Sequence, residues 1–188
     1  MDVRGLLLCG GASIRFGRDK LIEKIGDRYE PMALVSARHL LAAVGRVIAV
    51  TRPGRGDLRW ILEAAGCEVM ETDRALEGLG SSLAAGVEAS AEARGWIVAL
   101  ADMPFVQPGT IRAVRAAIEE GAAIAAPIRF GQRGHPVGFA AAFREELLAI
   151  RGDEGARSVL QRHRDLVRLV EVDDIGISRD IDRPTDLA

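Results

Sequence analysis

Short apolar runs alternate with helix-patterned stretches along most of the chain. That alternation is the strongest constraint on its fold. GLLLC (5–9), RVIAVT (46–51), CEVME (67–71), WIVALA (96–101), AAIAAPI (122–128) and DLVRLVEV (165–172) read as strands. Between the first five lie PMALVSARHLLAAVG (31–45), GDLRWILEAAG (56–66), SSLAAGVEASAEARG (81–95) and GTIRAVRAAIEEG (109–121), which read as helices. Pro31 near a helix start and Gly45 past its end follow the usual terminal asymmetry. WIVALA is apolar throughout, as a central parallel strand covered on both faces should be. Further on, GHPVGFA fits another strand, and FREELLAIRG and GARSVLQRHR fit helices. The pattern predicts a single α/β domain over 1–188, with a mostly parallel sheet, right-handed crossovers and helices on both faces, a three-layer α/β/α arrangement.

In such sheets ligands bind beyond the carboxyl ends of the strands. Composition narrows what the ligand is. A net charge of −2 gives no basic footprint for nucleic acid. Apolar runs of five or six residues are far short of the ~20 that span a membrane, and the N-terminal one is too short for a signal peptide. Cys9 and Cys67 form no CxxC pair, which argues against a zinc site or disulfide framework and for a reduced, cytoplasmic setting. His39 and His163 fall in helix patterns as ordinary histidines, the stripe Leu34, Ala37, Leu41 reads as core, and Trp60 and Trp96 read as packing residues.

The first strand runs into GGASIRFGRDK (10–20). It is no Walker A loop, because Gly11 and Gly17 are five residues apart and Arg18 follows. The G-x-G-x-x-G fingerprint is absent too, and TRPGRG stands after the second strand where a ribose-binding acid belongs. Glycines that allow close backbone approach, with Arg15 as a fork and Lys20 as a point charge, still make an anion site. A glycine-rich turn with solvated basic residues has the same composition.

LCGGASIRFGRDK resembles the L-A-[AG]-G-x-S-x-R-[MF]-G-x-x-K signature of nucleotidyltransferases, in particular the molybdenum cofactor cytidylyltransferase and guanylyltransferase group. Leu8, Gly10, Gly11, Ser13, Arg15, Phe16, Gly17 and Lys20 fall on it. The resemblance implies a Rossmann-like nucleotidyltransferase fold and a loop wrapped around a triphosphate, neutralised by Arg15 and Lys20. It also implies that the backbone around Leu8, Cys9 and Gly10 lies against the base.

Asp102 follows the most apolar strand directly. An acid there is costly unless it meets a polar crevice or a cation, although a helix N-cap or turn residue also fits. LADMP is similar to the family's L-[AG]-D-x-P, in which the aspartate binds the metal, here expected to be Mg2+. Near the C-terminus SRDIDRPTDL resembles [DN]-[IV]-[DN]-T-P-E-[DE]-L, with Arg183 and Thr185 departing from it. Asp182 is the expected second metal contact. Asp180 shares its face of an extended segment, and a solvated acidic tail is the plainer alternative.

EGLGSSLAAGV (77–87) resembles the cytidylyltransferase segment G-[LM]-x-[ST]-S-L, which would place Gly78 and Leu79 at the base and Ser81 or Ser82 at the base or ribose. Both serines also suit a helix cap. RGHPVGF (133–139) and RGDEGARSVL (151–160) are similar to that branch's G-H-P-V-x-F and G-D-x-G-A-R, with His135, Asp153 and Arg157 as acceptor contacts. Against CTP stands Gly10, since guanylyltransferases carry A-G-G there and a small residue leaves room for a purine.

The resemblance therefore implies transfer of CMP from CTP to molybdopterin, with pyrophosphate released and a molybdoenzyme as client of the product. GTP on the same cofactor is an alternative, as is another small phosphorylated acceptor such as a methylerythritol phosphate or a sugar phosphate. A non-catalytic factor that delivers the cofactor is the rival from a different class. No Ser-His-Asp set is expected, because a phosphate nucleophile is already ionised.

Overall fold

The computed structural model describes residues 2–10, 19–26 and 29–187. In chain order its elements are β1 (Val3–Leu8), β2 (Lys24–Ile25), β3 (Glu30–Pro31), α1 (Met32–Val44), β4 (Val47–Thr51), α2 (Gly56–Ala65), β5 (Glu68–Glu71) and α3 (Leu79–Ala89). They continue with β6 (Gly95–Leu100), α4 (Pro108–Glu119), β7 (Ile124–Arg129), β8 (Gln132–Arg133), β9 (Val137–Ala140), α5 (Arg144–Leu148), α6 (Arg157–Arg162) and β10 (Val167–Glu171). The main sheet runs β10-β7-β9-β6-β1-β4-β5, with β8 added to β7. β1 is parallel to β4 and β6, β4 to β5, and β10 to β7. The GHPVGFA strand, β9, is wedged antiparallel between β6 and β7. The expected mostly parallel α/β sheet is therefore what the chain forms.

All six residues of β1 are buried. Because side chains alternate across a strand, Leu7 and Leu6 enter opposite cores. Leu7 packs with Met32, Leu40, Leu62, Ile111 and Val114 under α1, α2 and α4. Leu6 and Leu8 pack with Leu83, Trp96, Phe139 and Leu147 under α3 and α5. A fully buried β1 is thus the physical reason for helices on both faces. On α1 the buried stripe is Ala33, Ala37, Leu40 and Val44. Leu34 and Leu41 lie at its margin, one position off the expected stripe.

Two sequence expectations need correction. The helix expected over 81–95 ends at Ala89. Ser90 donates to the Gly86 carbonyl at 2.7 Å and accepts from Trp96 Nε1 at 2.9 Å, so the chain turns there to bring Trp96 into the core. Trp96 is fully buried, whereas Trp60, expected as a packing residue, is 72% exposed on α2. Among the described residues no helix is long and apolar enough to cross a membrane.

Candidate functional site

Three chain segments far apart in sequence meet beyond the carboxyl ends of β1 and β6. Lys20, in a short 3-10 turn (Lys20–Ile22), donates to Asp102 Oδ2 at 2.8 Å, to Asp182 Oδ1 at 2.9 Å and to the Ile181 carbonyl at 2.7 Å. Lys20 itself is 6% exposed. Burial disfavours its charge, but the adjoining Asp102 and then Asp182 outweigh that and hold its pKa above the ordinary lysine value.

Each partner is held by backbone geometry. Asp102 follows β6, whose neighbour β1 accepts the Ala101 N–H at Leu8 O (3.1 Å). Ser36 on α1 donates to the Ala101 carbonyl at 2.9 Å. Ile181 N–H donates to the Asp102 carbonyl at 3.0 Å, which docks the C-terminal segment onto the strand end. That segment is anchored upstream by Asp174. Its buried carboxylate accepts from Gln107 N (2.8 Å), Thr110 Oγ1 (2.6 Å) and Gly176 N (2.8 Å). Asp182, not the exposed Asp180, is the acid brought to Lys20.

The two edges of the glycine-rich loop are fixed by a residue that sequence reasoning passed over. Arg55, in the TRPGRG stretch after β4, is buried. Its Nη1 donates to the Cys9 carbonyl at 2.7 Å and its Nε to Asp19 Oδ2 at 2.9 Å, with Nη2 on the other Asp19 oxygen. Position supplied the missed signal: a basic residue just past the carboxyl end of a central strand, in the same layer as the loop. Gly11, Ser13 and Arg15 lie outside the described residues.

Beside this cluster lies a small cavity of about 90 Å3 lined by Leu8, Cys9, Lys20, Leu21, Leu79, Leu100 and Asp102. It shares Leu8, Leu79 and Leu100 with a larger cavity of about 260 Å3. His135, Arg133, Val137, Phe139, Glu154 and Arg157 line the larger one. His135 Nδ1 is buried without a hydrogen-bond partner among the described residues. Burial pushes the His135 pKa below its ordinary value, although Asp102 pulls the other way. Asp153 is exposed and stands against Gly78, whose φ of +130° and contact with Gly152 leave no room for a side chain.

The two serines at the start of α3 are bonded within the protein. Ser81 and Ser82 are both fully buried. Ser81 Oγ donates to Glu77 Oε2 at 2.8 Å and accepts from Gly152 N at 3.1 Å, and Ser82 Oγ donates to the Gly78 carbonyl at 3.0 Å. Both hydroxyls are engaged with protein, and that of Ser81 ties α3 to the 150s loop. Gly10 packs on the same helix end, against Ser82 and Ala75.

Two carboxylates reaching one cation suit Mg2+ or Mn2+, which take one or two carboxylates and leave their other positions to phosphate and water. Among the described residues no group of three or more His, Cys, Asp or Glu side chains is placed to bind a metal by itself. The donor set therefore fits a metal that arrives with phosphate ligands.

Known structures share this architecture. Rv0371c from Mycobacterium tuberculosis H37Rv superposes with a TM-score of 0.86 at 23% identity, covering 99% of this chain and 95% of that one. A structure of Rv0371C in complex with manganese gives 0.81 at 22% identity, covering 99% and 96%. A nucleotidyl transferase from Methanothermobacter thermautotroptrophicus (Mth528) gives 0.81 at 23% identity, covering 98% and 93%. No curated protein matches the chain by sequence. The family described as "MobA-like NTP transferase domain" matches residues 5–167, a stretch that holds most of β1, the glycine-rich loop, Lys20, Asp102 and both cavities' lining. With most of its length and the core of its site inside that match, the chain belongs to the MobA-like NTP transferase family of nucleotidyltransferases.

Proposed function

We propose that the chain transfers CMP from CTP to molybdopterin, with release of pyrophosphate. The observation that carries the reading is the convergence of Lys20, Asp102 and Asp182 beside a cavity that shares a wall with a second, larger one. A nucleotidyl transfer needs two adjoining compartments, one for the triphosphate and one for the attacking phosphate.

In this reading Leu8, Cys9, Gly10 and Leu79 face the nucleotide. Lys20 and Arg15 offset the charge of the triphosphate, Arg15 on the family resemblance. Asp102 and Asp182 would hold Mg2+ or Mn2+. A bound ion there would stabilise negative charge on the phosphate oxygens. Arg157, Arg133 and His135 line the acceptor side, with Asp153 at its rim. The terminal phosphate of the acceptor attacks the α-phosphorus, and the bond to the pyrophosphate oxygen breaks. The nucleophile is ionised at neutral pH, so the protein supplies position and charge rather than a general base.

CTP is favoured over GTP by the similarity of the EGLGSSL, RGHPVGF and RGDEGARSVL segments to the cytidylyl branch. Gly10 no longer weighs for a purine, because the room beside it is filled by Ser82 and Ala75. Pyrophosphate release with molybdopterin and Mg2+, compared across CTP, GTP and ATP, tests the reading. A preference for CTP is expected. A clear GTP preference would reverse the base assignment, and no release with any nucleotide would favour a cofactor-delivery protein.

A further inference from the structure

Asp102 and Asp182 face a common point, and a side chain of the same protein takes it. Lys20 Nζ lies 2.8 Å from Asp102 Oδ2 and 2.9 Å from Asp182 Oδ1. A further acceptor, the Ile181 carbonyl at 2.7 Å, comes from the residue beside Asp182. Among the described residues three acceptors surround the ammonium, which carries three N–H bonds. The lysine side chain is only 8% exposed in this position, while the two carboxylates keep 24% and 40% of their side chains in water.

We propose that Lys20 is a placeholder cation: without nucleotide it stands where the divalent ion binds, and the ion enters only as Lys20 swings out toward the triphosphate. The inference rests on the reading of Asp102 and Asp182 as metal carboxylates. An ammonium and a divalent ion cannot share oxygens at about 2–3 Å, because their charges repel in a poorly solvated crevice. With Lys20 absent and no metal bound, the two carboxylates would repel each other. The ammonium keeps them paired and in place. A nucleotide resolves the competition at both ends, since its phosphates receive Lys20 and complete the ion's coordination. A lysine suits the task better than an arginine, being a compact charge on a flexible stem. The consequence is ordered loading, in which metal and nucleotide enter together and the metal alone binds weakly.

Binding of Mn2+ alone, read from loss of the free-ion EPR signal, tests this without turnover. Lys20→Met is expected to bind Mn2+ at least tenfold more tightly than the wild type, and the double variant with Asp102→Asn to lose that gain. Equal or weaker binding by Lys20→Met, while Asp102→Asn still weakens the wild type, overturns the placeholder and leaves the metal reading standing. No Mn2+ binding to any form, or binding indifferent to Asp102→Asn, overturns both.

The wild type offers a second readout that needs no variant. The chain has only two lysines, Lys20 and the exposed Lys24. Saturating Mg2+ without nucleotide is expected to raise acetylation of Lys20 by acetic anhydride severalfold relative to Lys24, followed by mass spectrometry. An unchanged ratio overturns the proposal.

Discussion

A Cβ on Gly10 would stand 2.7 Å from the Ser82 hydroxyl oxygen and 3.2 Å from the Ala75 carbonyl. The end of β1 is therefore pressed onto the N-terminal turn of α3, and residue 10 is a glycine because the protein fills the space itself. Gly10→Ala forces Ser82 Oγ off its bond to the Gly78 carbonyl. The expected cost is about 1–3 kcal/mol, the range for overpacking a filled core. Ser82→Ala in the same chain should recover about 1 kcal/mol or more of it, as expected for residues in contact. Urea unfolding of the two single variants and the double variant measures this coupling, and strict additivity would refute the contact. The double variant is also expected to keep the wild-type ratio of CTP to GTP turnover.

That pair explains why the sequence alone pointed two ways at position 10. A glycine in a motif has the same letter whether it makes room for a ligand or for a neighbouring side chain. The neighbour here, Ser82, is 72 residues away, beyond any local pattern. The alternation of strands and helices was legible because burial of every residue in β1 leaves a continuous apolar run. Asp102 was legible for the same reason, as an acid ending such a run. Arg55 was not, because its partners Cys9 and Asp19 are brought to it by the parallel pairing of β1 with β4. Ser81 and Ser82 read equally as a helix cap or as base or ribose contacts, since buried hydroxyls that bond to protein look no different in sequence from hydroxyls offered to a nucleotide.

Asp102 and Asp182 differ in how firmly they are enclosed, with side chains 24% and 40% exposed. Water can substitute more readily for the outer one. Asp102→Asn is expected to lower kcat for pyrophosphate release about 10²–10³-fold, the typical cost of one transition-state charge contact. Lys20→Ala should fall in the same range. Asp182→Asn is expected to lose less, about tenfold. Near-normal turnover in the Asp102 variant, with an unchanged circular dichroism spectrum, would remove it from the site.

Arg55 bonds both edges of the glycine-rich loop, the Cys9 carbonyl before it and the Asp19 carboxylate after it. Its side chain is 5% exposed and that of Asp19 26%. Arg55→Met leaves Asp19 without its guanidinium and the Cys9 carbonyl without this donor. The expected loss is about 3 kcal/mol, the low end for breaking a buried pair, because Asp19 keeps part of its surface in water. The nucleotide KM should rise about tenfold, with a smaller change in kcat. A lysine at position 55 cannot span both partners as a fork does, so Arg55→Lys should restore stability only in part. Full recovery by Arg55→Lys would show that charge alone, not the fork, holds the loop edges.

Both thiols are shielded. Burial pushes Cys9 far above the usual thiol range, against the pull of Arg55, and burial pushes Cys67 up to about 12. Since the thiolate is the reactive form, neither should react with a disulfide reagent at pH 8 in the native protein. Two thiols per chain should react in urea. Rapid native labelling of Cys9 would mean that the β1 end opens readily.

His135 makes stability depend on pH in one direction. Burial disfavours its imidazolium, Asp102 and Asp180 favour it and Arg133 opposes it, and the net effect holds its pKa below the ordinary 6.5. The unfolded chain therefore binds a proton more readily than the folded one between those two values. The stabilisation is fully present above about pH 6.5 and is lost as pH falls from there through the folded pKa. For one group the slope is at most ~1.4 kcal/mol per pH unit. His135→Gln removes the proton-binding site, so its melting temperature should fall less steeply than the wild type's between pH 7 and 5. Parallel profiles would show that His135 is not the group whose protonation opposes the fold. A wild-type profile that rises on acidification would mean that Asp102 and Asp180 prevail over burial.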